Sequence, residues 1–328
     1  MLVLVACGEP PASPSLEQTP PEGVPSAAEE PEGAESAPSA DPEGWQPIET
    51  FEGAPVETHR EYDPKTGELV LIATRKVGAA FAKHGPEWVF WPSGLPRAKK
   101  VWRDGELHGP YAAWWKVGLL KEEGEYHHGG RHGAWRLFDD AGSRIAEKQY
   151  REGAPHGEFR EWYGETGQEK LESHWNAGLQ DGLERRWNAG GALVFEGAWE
   201  GGARHGAWNE YHDDGTPRLA AFYDEGAPSG TWVRWDAGGA KVLEERYEGG
   251  QLAERTTWRA DGSKEQHVEH QPGGERALSR AWHPNGQQHW EGELVGGKRQ
   301  GTWTYWRSDG SLDEAFSGEY RDDARVAE

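Results

Sequence analysis

The sequence predicts an all-β protein: an elongated single antiparallel sheet of stacked β-hairpin repeats, two strands per repeat, preceded by a disordered N-terminal tail. Three observations carry this. One phrase recurs about every 24 residues, as HGAWRLFDDAG from His132, HGAWNEYHDDG from His205, SGTWVRWDAGG from Ser229 and QGTWTYWRSDG from Gln300. Self-similarity at that period marks an array of small units, none of which buries a face alone. Glycine, 46 of the 328 residues, recurs through the whole array and costs about 1 kcal/mol at each helix-interior position. The runs between glycines are rich in Trp, Tyr, Val and Phe, which suit a pleated, half-buried surface.

Aligning the glycine of the HG-type dipeptide, the anchor, places repeats at Gly85, Gly109, Gly133, Gly157, Gly182, Gly206, Gly230, Ala253, Ala277 and Gly301, with a degenerate forerunner near Glu57. Most spacings are 24, with one of 25 and one of 23. A second turn glycine follows nine residues after most anchors, as at Gly142, Gly215 and Gly310. An aromatic comes about 17 after the anchor (Tyr126, Tyr150, Trp199, Tyr223, Tyr247), and a third turn glycine three residues later. Each repeat therefore reads as two short strands closed by glycine turns. With strands about 4.8 Å apart, ten such repeats extend on the order of 95 Å. The 19 tryptophans replace a thick core, since each buried aromatic removes about 150 to 250 Å² from water.

The aromatics two and five residues after the anchor (Trp135 and Phe138, Trp208 and Tyr211, Trp232 and Trp235, Trp303 and Trp306) differ in parity. A regular strand points them to opposite faces. A bulge or a curled cross-section that brings both to one face is the expectation; the alternative leaves an uncovered aromatic ladder, which is a partner surface.

The pattern resembles the MORN-type repeats, and more closely their bacterial variant, on Gly206-Ala-Trp208-Asn-Glu-Tyr211 through Gly215 and then Tyr223 to Gly226. The resemblance covers about residues 57 to 320. It implies binding or scaffolding, and members with this variant are grouped as YwqK-type antitoxin components, many resembling bacterial lipoproteins. The repeats at Ala253 and Ala277 depart from it, lacking the anchor glycine and carrying Arg255 and Ser279 in place of tryptophan. They are expected to be loosened and bent.

Residues 1–7 read as a truncated lipoprotein signal. Leu4-Val5-Ala6-Cys7 fits a lipobox, making Cys7 the lipidation site, although the apolar stretch is short for a signal. Residues 8–56 form a Pro/Glu/Ala-rich acidic tether without lysine or arginine, too polar to bury a core. Its eleven acidic residues make half of the net charge of -22. The repeat array occupies 57–328. Mixed charge along the array argues against nucleic acid, and no apolar run is long enough to span a membrane as a helix. Cys7 is the single cysteine, so no disulfide closes within the chain.

Catalytic and metal signatures are weak. No G-x-S-x-G or H-E-x-x-H motif occurs, and the loop-like Gly292 to Lys298 is followed by Arg299 where a phosphate loop needs Ser or Thr. His84, His108, His132, His156 and His205 precede anchors, but equivalent positions would lie about 9.6 Å apart, too far to share a metal; they read as turn residues bonding backbone. The cluster His127, His128 and His132 is the one place in the sequence that offers itself to adventitious metal. Asp139-Asp140 and Asp213-Asp214 read as turn residues.

The functional expectation is a non-catalytic, envelope-anchored repeat scaffold for protein–protein interaction, with no cofactor and no metal. Trp135, Trp208, Trp232, Trp235, Trp303 and Trp306 are the candidate partner-binding aromatics. The alternatives are an antitoxin or immunity-like protein that neutralises a toxin, and a carbohydrate or peptidoglycan binder. The expected localisation is the bacterial cell envelope, lipid-anchored and facing the periplasm or outer membrane.

Overall fold

A computed structural model describes residues 48–78 and 82–326. Cys7 and most of the acidic tether lie outside these residues. The described chain is all-β: 26 strands, from Thr50–Phe51 to Ala324–Arg325, form one open antiparallel sheet in which strands pair in sequence order, except that the two-residue strands Glu106–Leu107 and Leu179–Gln180 pair only with the strand before them. The first strands correct a boundary. Thr50–Phe51 and Ala54–Tyr62 are already paired, so the array starts within the segment read as tether rather than at Glu57.

Two turn types alternate, each dictated by local sequence. The strand Gly130–Phe138 meets Arg144–Arg151 through a tight turn in which Gly142 donates to the Asp139 carbonyl and Asp139 to that of Ser143. The Asp139 carboxylate accepts from the amides of Ala141 and Ser143 at 3.0 and 2.8 Å, as turn aspartates do. The acid pairs are turn residues here, as read from sequence. One loop is a residue longer, with Gly167 bonding back to Tyr163, and it accounts for the 25-residue spacing. The second turn joins repeats and has two central residues at positive φ, for example His128 (46°) and Gly129 (78°), or Glu152 (49°) and Gly153 (85°). That is the I′ turn, whose twist matches the flanking strands. Its glycine amide donates to a carbonyl about one repeat earlier, Gly129 to Leu107, Gly153 to Arg131 and Gly226 to Arg204, at 2.8 to 2.9 Å.

The anchor glycine does neither of these jobs. It sits inside a strand, at an irregularity of the ladder with the preceding repeat. Gly197 pairs with Trp208 and Trp199 with Arg204, leaving three residues around Gly206 opposite one. The same offset occurs at Gly133, Gly230 and Gly301. Gly206 has φ 72° there, which a bulge of this kind favours in glycine. The repeats lacking the anchor glycine were expected to be loosened and bent; they are the more regular ones. The ladder at Ala253 has a single extra residue, and that at Ala277 runs from Gln266–Ala281 to His270–Ala277 without a shift. Without a residue free to adopt positive φ, the strand keeps ordinary pairing.

The bulge lets a tryptophan lie flat on bare backbone. Trp135 covers Gly124 of the preceding strand so closely that a Cβ there would be 2.4 Å from the ring; Trp208 covers Gly197 (2.7 Å) and Trp303 covers Gly292 (2.2 Å). The Trp135 and Trp303 indole N–H groups each donate at 3.1 Å to the carbonyl next to that glycine, of Glu125 and Glu293. Trp232 makes the equivalent bond to Phe222 at 2.9 Å. Around these rings the aromatics 17 residues after the anchor pack edge-on, giving a row Trp199, Trp208, Tyr223, Trp232, Tyr247 with centroids 4.9 to 5.5 Å apart.

The parity question resolves against a shared face. Between Trp135 and Phe138 no extra residue falls on their own strand; the extra residue, Ile145, is on the opposite one. Aromatics of like parity stack, Trp303 on Tyr305 and Trp88 on Phe90, and among the described residues no ring contact joins an anchor+2 aromatic to an anchor+5 one. The sheet carries aromatics on both faces.

Gly124→Ala is expected to destabilise the array by about 1–3 kcal/mol through overpacking against Trp135, and Trp135→Ala by about 3–5 kcal/mol. Chemical denaturation followed by circular dichroism measures both; an unchanged Gly124→Ala midpoint would show that the ring does not need bare backbone.

Candidate functional site

The expected partner-binding tryptophans divide. Trp135, Trp208 and Trp303 are 0, 7 and 3% exposed, so they form the sheet's own core and do not meet a partner. This corrects the expectation for those three. Trp232, Trp235 and Trp306 are half-buried. A basic residue two before the anchor caps the buried row: Arg131 lies 3.9 Å from the Trp135 ring centroid, Arg204 4.7 and 5.1 Å from Trp208 and Tyr223, and Arg299 4.4 Å from Tyr320. The sequence carries this arginine as R-H-G-A-W at Arg131 and Arg204, but strand alternation alone does not place it over the ring. In two repeats a glutamate replaces the anchor+2 aromatic. Glu87 is buried between Lys83 and Lys100. Glu184 accepts from Gln180 (2.9 Å), Arg186 (2.6 Å) and the Trp199 indole (2.8 Å). These acids are neutralised by neighbours and serve packing.

Half-buried aromatics beside the buried Trp114 edge a groove early in the array. An open groove of about 500 Å³ is lined by Trp91, Tyr111, Trp114 and Trp115 with Arg97, Lys116 and Lys121. The rings are fixed from behind: the Trp91 indole donates to the Trp114 carbonyl at 3.4 Å and the Trp115 indole to that of Phe138 at 3.2 Å. Cations sit over their faces, Arg97 and Lys116 at 4.8 and 5.4 Å from Trp91 and Lys121 at 4.6 Å from Trp115. Residues 83–121 hold seven lysines and arginines against three acids, in a chain of net charge -22. A second, wider groove of about 950 Å³ is lined by Trp88, Lys99, Trp114, Glu123, His132 and Arg136. There the Trp88 and Trp114 rings lie parallel, 5° apart in plane and 6.2 Å between centroids. Burial, and then Glu122, push the Tyr111 phenol up to about 12, so it stays protonated and offers a hydrogen bond rather than a phenolate.

Of the anchor histidines, His84 and His108 bond backbone as read, while His205 Nδ1 faces the carboxylates of Glu200 and Asp224 at 3.4 and 3.7 Å. His84 Nδ1 accepts from the Asp104 amide at 3.2 Å while its Nε2 lies 3.2 Å from the Phe51 carbonyl, which places the proton on Nε2. His108 Nδ1 accepts from the His128 amide at 3.5 Å.

No family model matches the chain, and no curated protein matches it either. Among solved structures it is similar to a TcdB2–TccC3–TEV crystal structure (11% identity, 81% of this chain and 17% of that one, TM-score 0.18). It is likewise similar to TcdB2–TccC3–Cdc42 (14% identity, 82% and 15%, TM-score 0.19) and to a Photorhabdus luminescens Tc holotoxin pore (13% identity, 78% and 14%, TM-score 0.19). The chain spans less than a fifth of each, and at these TM-scores the likeness carries no argument about function.

Burial first, then Arg103, His127 and His128, hold His108 below the usual histidine range; burial and Arg255 do so for His270, and burial with His283 and Arg259 for His289. A histidine kept neutral in the fold binds protons more readily in the unfolded chain, so stability rises with pH. The contribution is complete above about pH 6.5 and is lost as pH falls through the lowered native values. The melting temperature is therefore expected to drop between about pH 7.5 and 5, with part of the drop removed in His108→Gln. A flat melting profile over that interval would contradict it.

Proposed function

We propose that the protein is a non-catalytic repeat scaffold that binds another protein, and that the groove edged by the half-buried Trp91 and Trp115, with the buried Trp114 behind them, takes an acidic, aromatic-containing segment of that partner. The groove carries the reading. It combines ring surface with Arg97, Lys116 and Lys121, the combination that supplies interface anchors and steers an oppositely charged partner. Cross-strand ion pairs elsewhere on the sheet, such as Lys148–Glu161 and Arg280–Glu291, support it by taking up many of the charged side chains in holding strand to strand. Attachment through a lipid at Cys7, in a bacterial envelope, belongs to the same proposal and is checked by metabolic fatty-acid labelling of the Cys7→Ser chain. Affinity capture with the full chain is expected to recover a defined partner, and the combined Lys116→Glu and Lys121→Glu substitutions to release it with circular dichroism unchanged. Equal recovery by the charge-reversed chain would sink this reading.

A second reading is glycan binding, favoured by the half-buried Trp88, whose ring lies parallel to the buried Trp114 beside the wider groove, since flat indole faces stack on sugar rings. It predicts that soluble peptidoglycan fragments quench tryptophan fluorescence and that Trp88→Ala removes the quenching. Quenching that survives the substitution would exclude this groove as the sugar site.

A further inference from the structure

We infer that His108, His127 and His128 form a binding site for a borderline divalent cation such as Zn²⁺, Cu²⁺ or Ni²⁺. Spacing along the array alone sets equivalent histidines about 9.6 Å apart, and that distance argues against a shared ion. The fold brings non-equivalent ones together instead. His108 precedes the bulge at Gly109, while His127 ends the strand Leu120–His127 and His128 opens the I′ turn beyond it. Their ring centroids lie 4.9 Å (His108 to His127), 5.3 Å (His108 to His128) and 4.4 Å (His127 to His128) apart. One nitrogen from each lies within 4.8 Å of the others. Two imidazole nitrogens on a tetrahedral zinc are about 3.3 Å apart, so modest side-chain rotations close the set. His128, at a turn tip and exposed, gives the ion an entry from solvent.

The surroundings suit a metal more than a packed core. His108 is half-buried beneath the exposed His128. The bond it would exchange for a metal, from the His128 amide, is at the long limit of hydrogen bonding at 3.5 Å. His132, whose centroid is 5.4 Å from that of His127, has its Nδ1 shut off from solvent with no hydrogen-bond partner among the described residues. The Glu106 carboxylate lies 3.4 Å from His128 Nδ1 and adds negative charge at the rim. Imidazole-rich sets select zinc, copper and nickel over the hard cations that carboxylates prefer. A different group, Glu158, Glu172 and His174, also converges within 4.8 Å, but there Arg160 and Arg185 hold the two carboxylates.

The full chain, freed of metal with chelator and titrated with zinc sulfate by calorimetry, is expected to bind one ion. His127→Ala and His108→Ala should each weaken binding by about tenfold or more, with His174→Ala unchanged. Loss in His174→Ala with retention in His127→Ala would move the site to the carboxylate group and overturn the inference. A measurement on the unmodified chain guards against misfolded variants: its one-to-one Cu²⁺ complex should show electron paramagnetic resonance couplings to three imidazole nitrogens. Oxygen-dominated coordination there would equally overturn it.

Discussion

Every other feature of the sheet is arranged around a tryptophan lying flat on a stretch of backbone that has no side chain. Trp135 on Gly124, Trp208 on Gly197 and Trp303 on Gly292 bind each hairpin to its predecessor across the ladder. At Trp135 and Trp303 three things meet: a glycine on the earlier strand, an indole N–H that reaches the carbonyl beside it, and a bulge at the anchor that offsets the later strand so that the ring meets that glycine. An open sheet has no second layer to close over its face, so ring burial against backbone takes the place of interdigitated side chains. Each ring removes about 150–250 Å² from water, about 4–6 kcal/mol by area before entropy is counted.

The exceptions show the same constraint. Where Ala221 stands in the glycine's place, Trp232 remains half-buried. Where Glu87 and Glu184 replace the ring, lysines or an arginine, an amide and an indole neutralise the buried acid. At Ala277 the anchor glycine, the bulge and the tryptophan are all missing together, and small buried residues, Ala277, Ser279 and Ala281, line a straight strand. The bulge persists at Gly85, where Glu87 replaces the ring, and is lost at Ala277 together with the anchor glycine, so it follows the glycine rather than the ring. The arginine two before the anchor completes the arrangement, since its guanidinium covers the ring face that the neighbouring strand leaves open.

This economy leaves function at the margins of the repeats. The sheet's own packing uses the best aromatics, which is why Trp135, Trp208 and Trp303 are unavailable to a partner. Partly exposed ring surface is found where the repeats are least regular in composition, around Trp88, Trp91 and Trp115 in the chain's basic segment, and the histidines gather at a turn where packing makes few demands. Turns held by a rigid sheet are where binding residues can change without loss of the fold.

The sequence by itself determined the hairpin array, its period and the places where it turns, because those rest on local chemistry: glycine at positive φ, aspartate bonding its own turn, aromatic runs too short for helices. It also placed the histidines before the anchors and the acids in turns. Three matters were decided only by the tertiary structure. The anchor glycine makes a bulge rather than a turn, the aromatics two and five residues beyond it take opposite faces, and His108 meets His127 and His128. Each depends on the register between two strands, which shifts by whole residues at every bulge. Spacing along one strand cannot encode that offset, because it arises only when the second strand is laid beside the first.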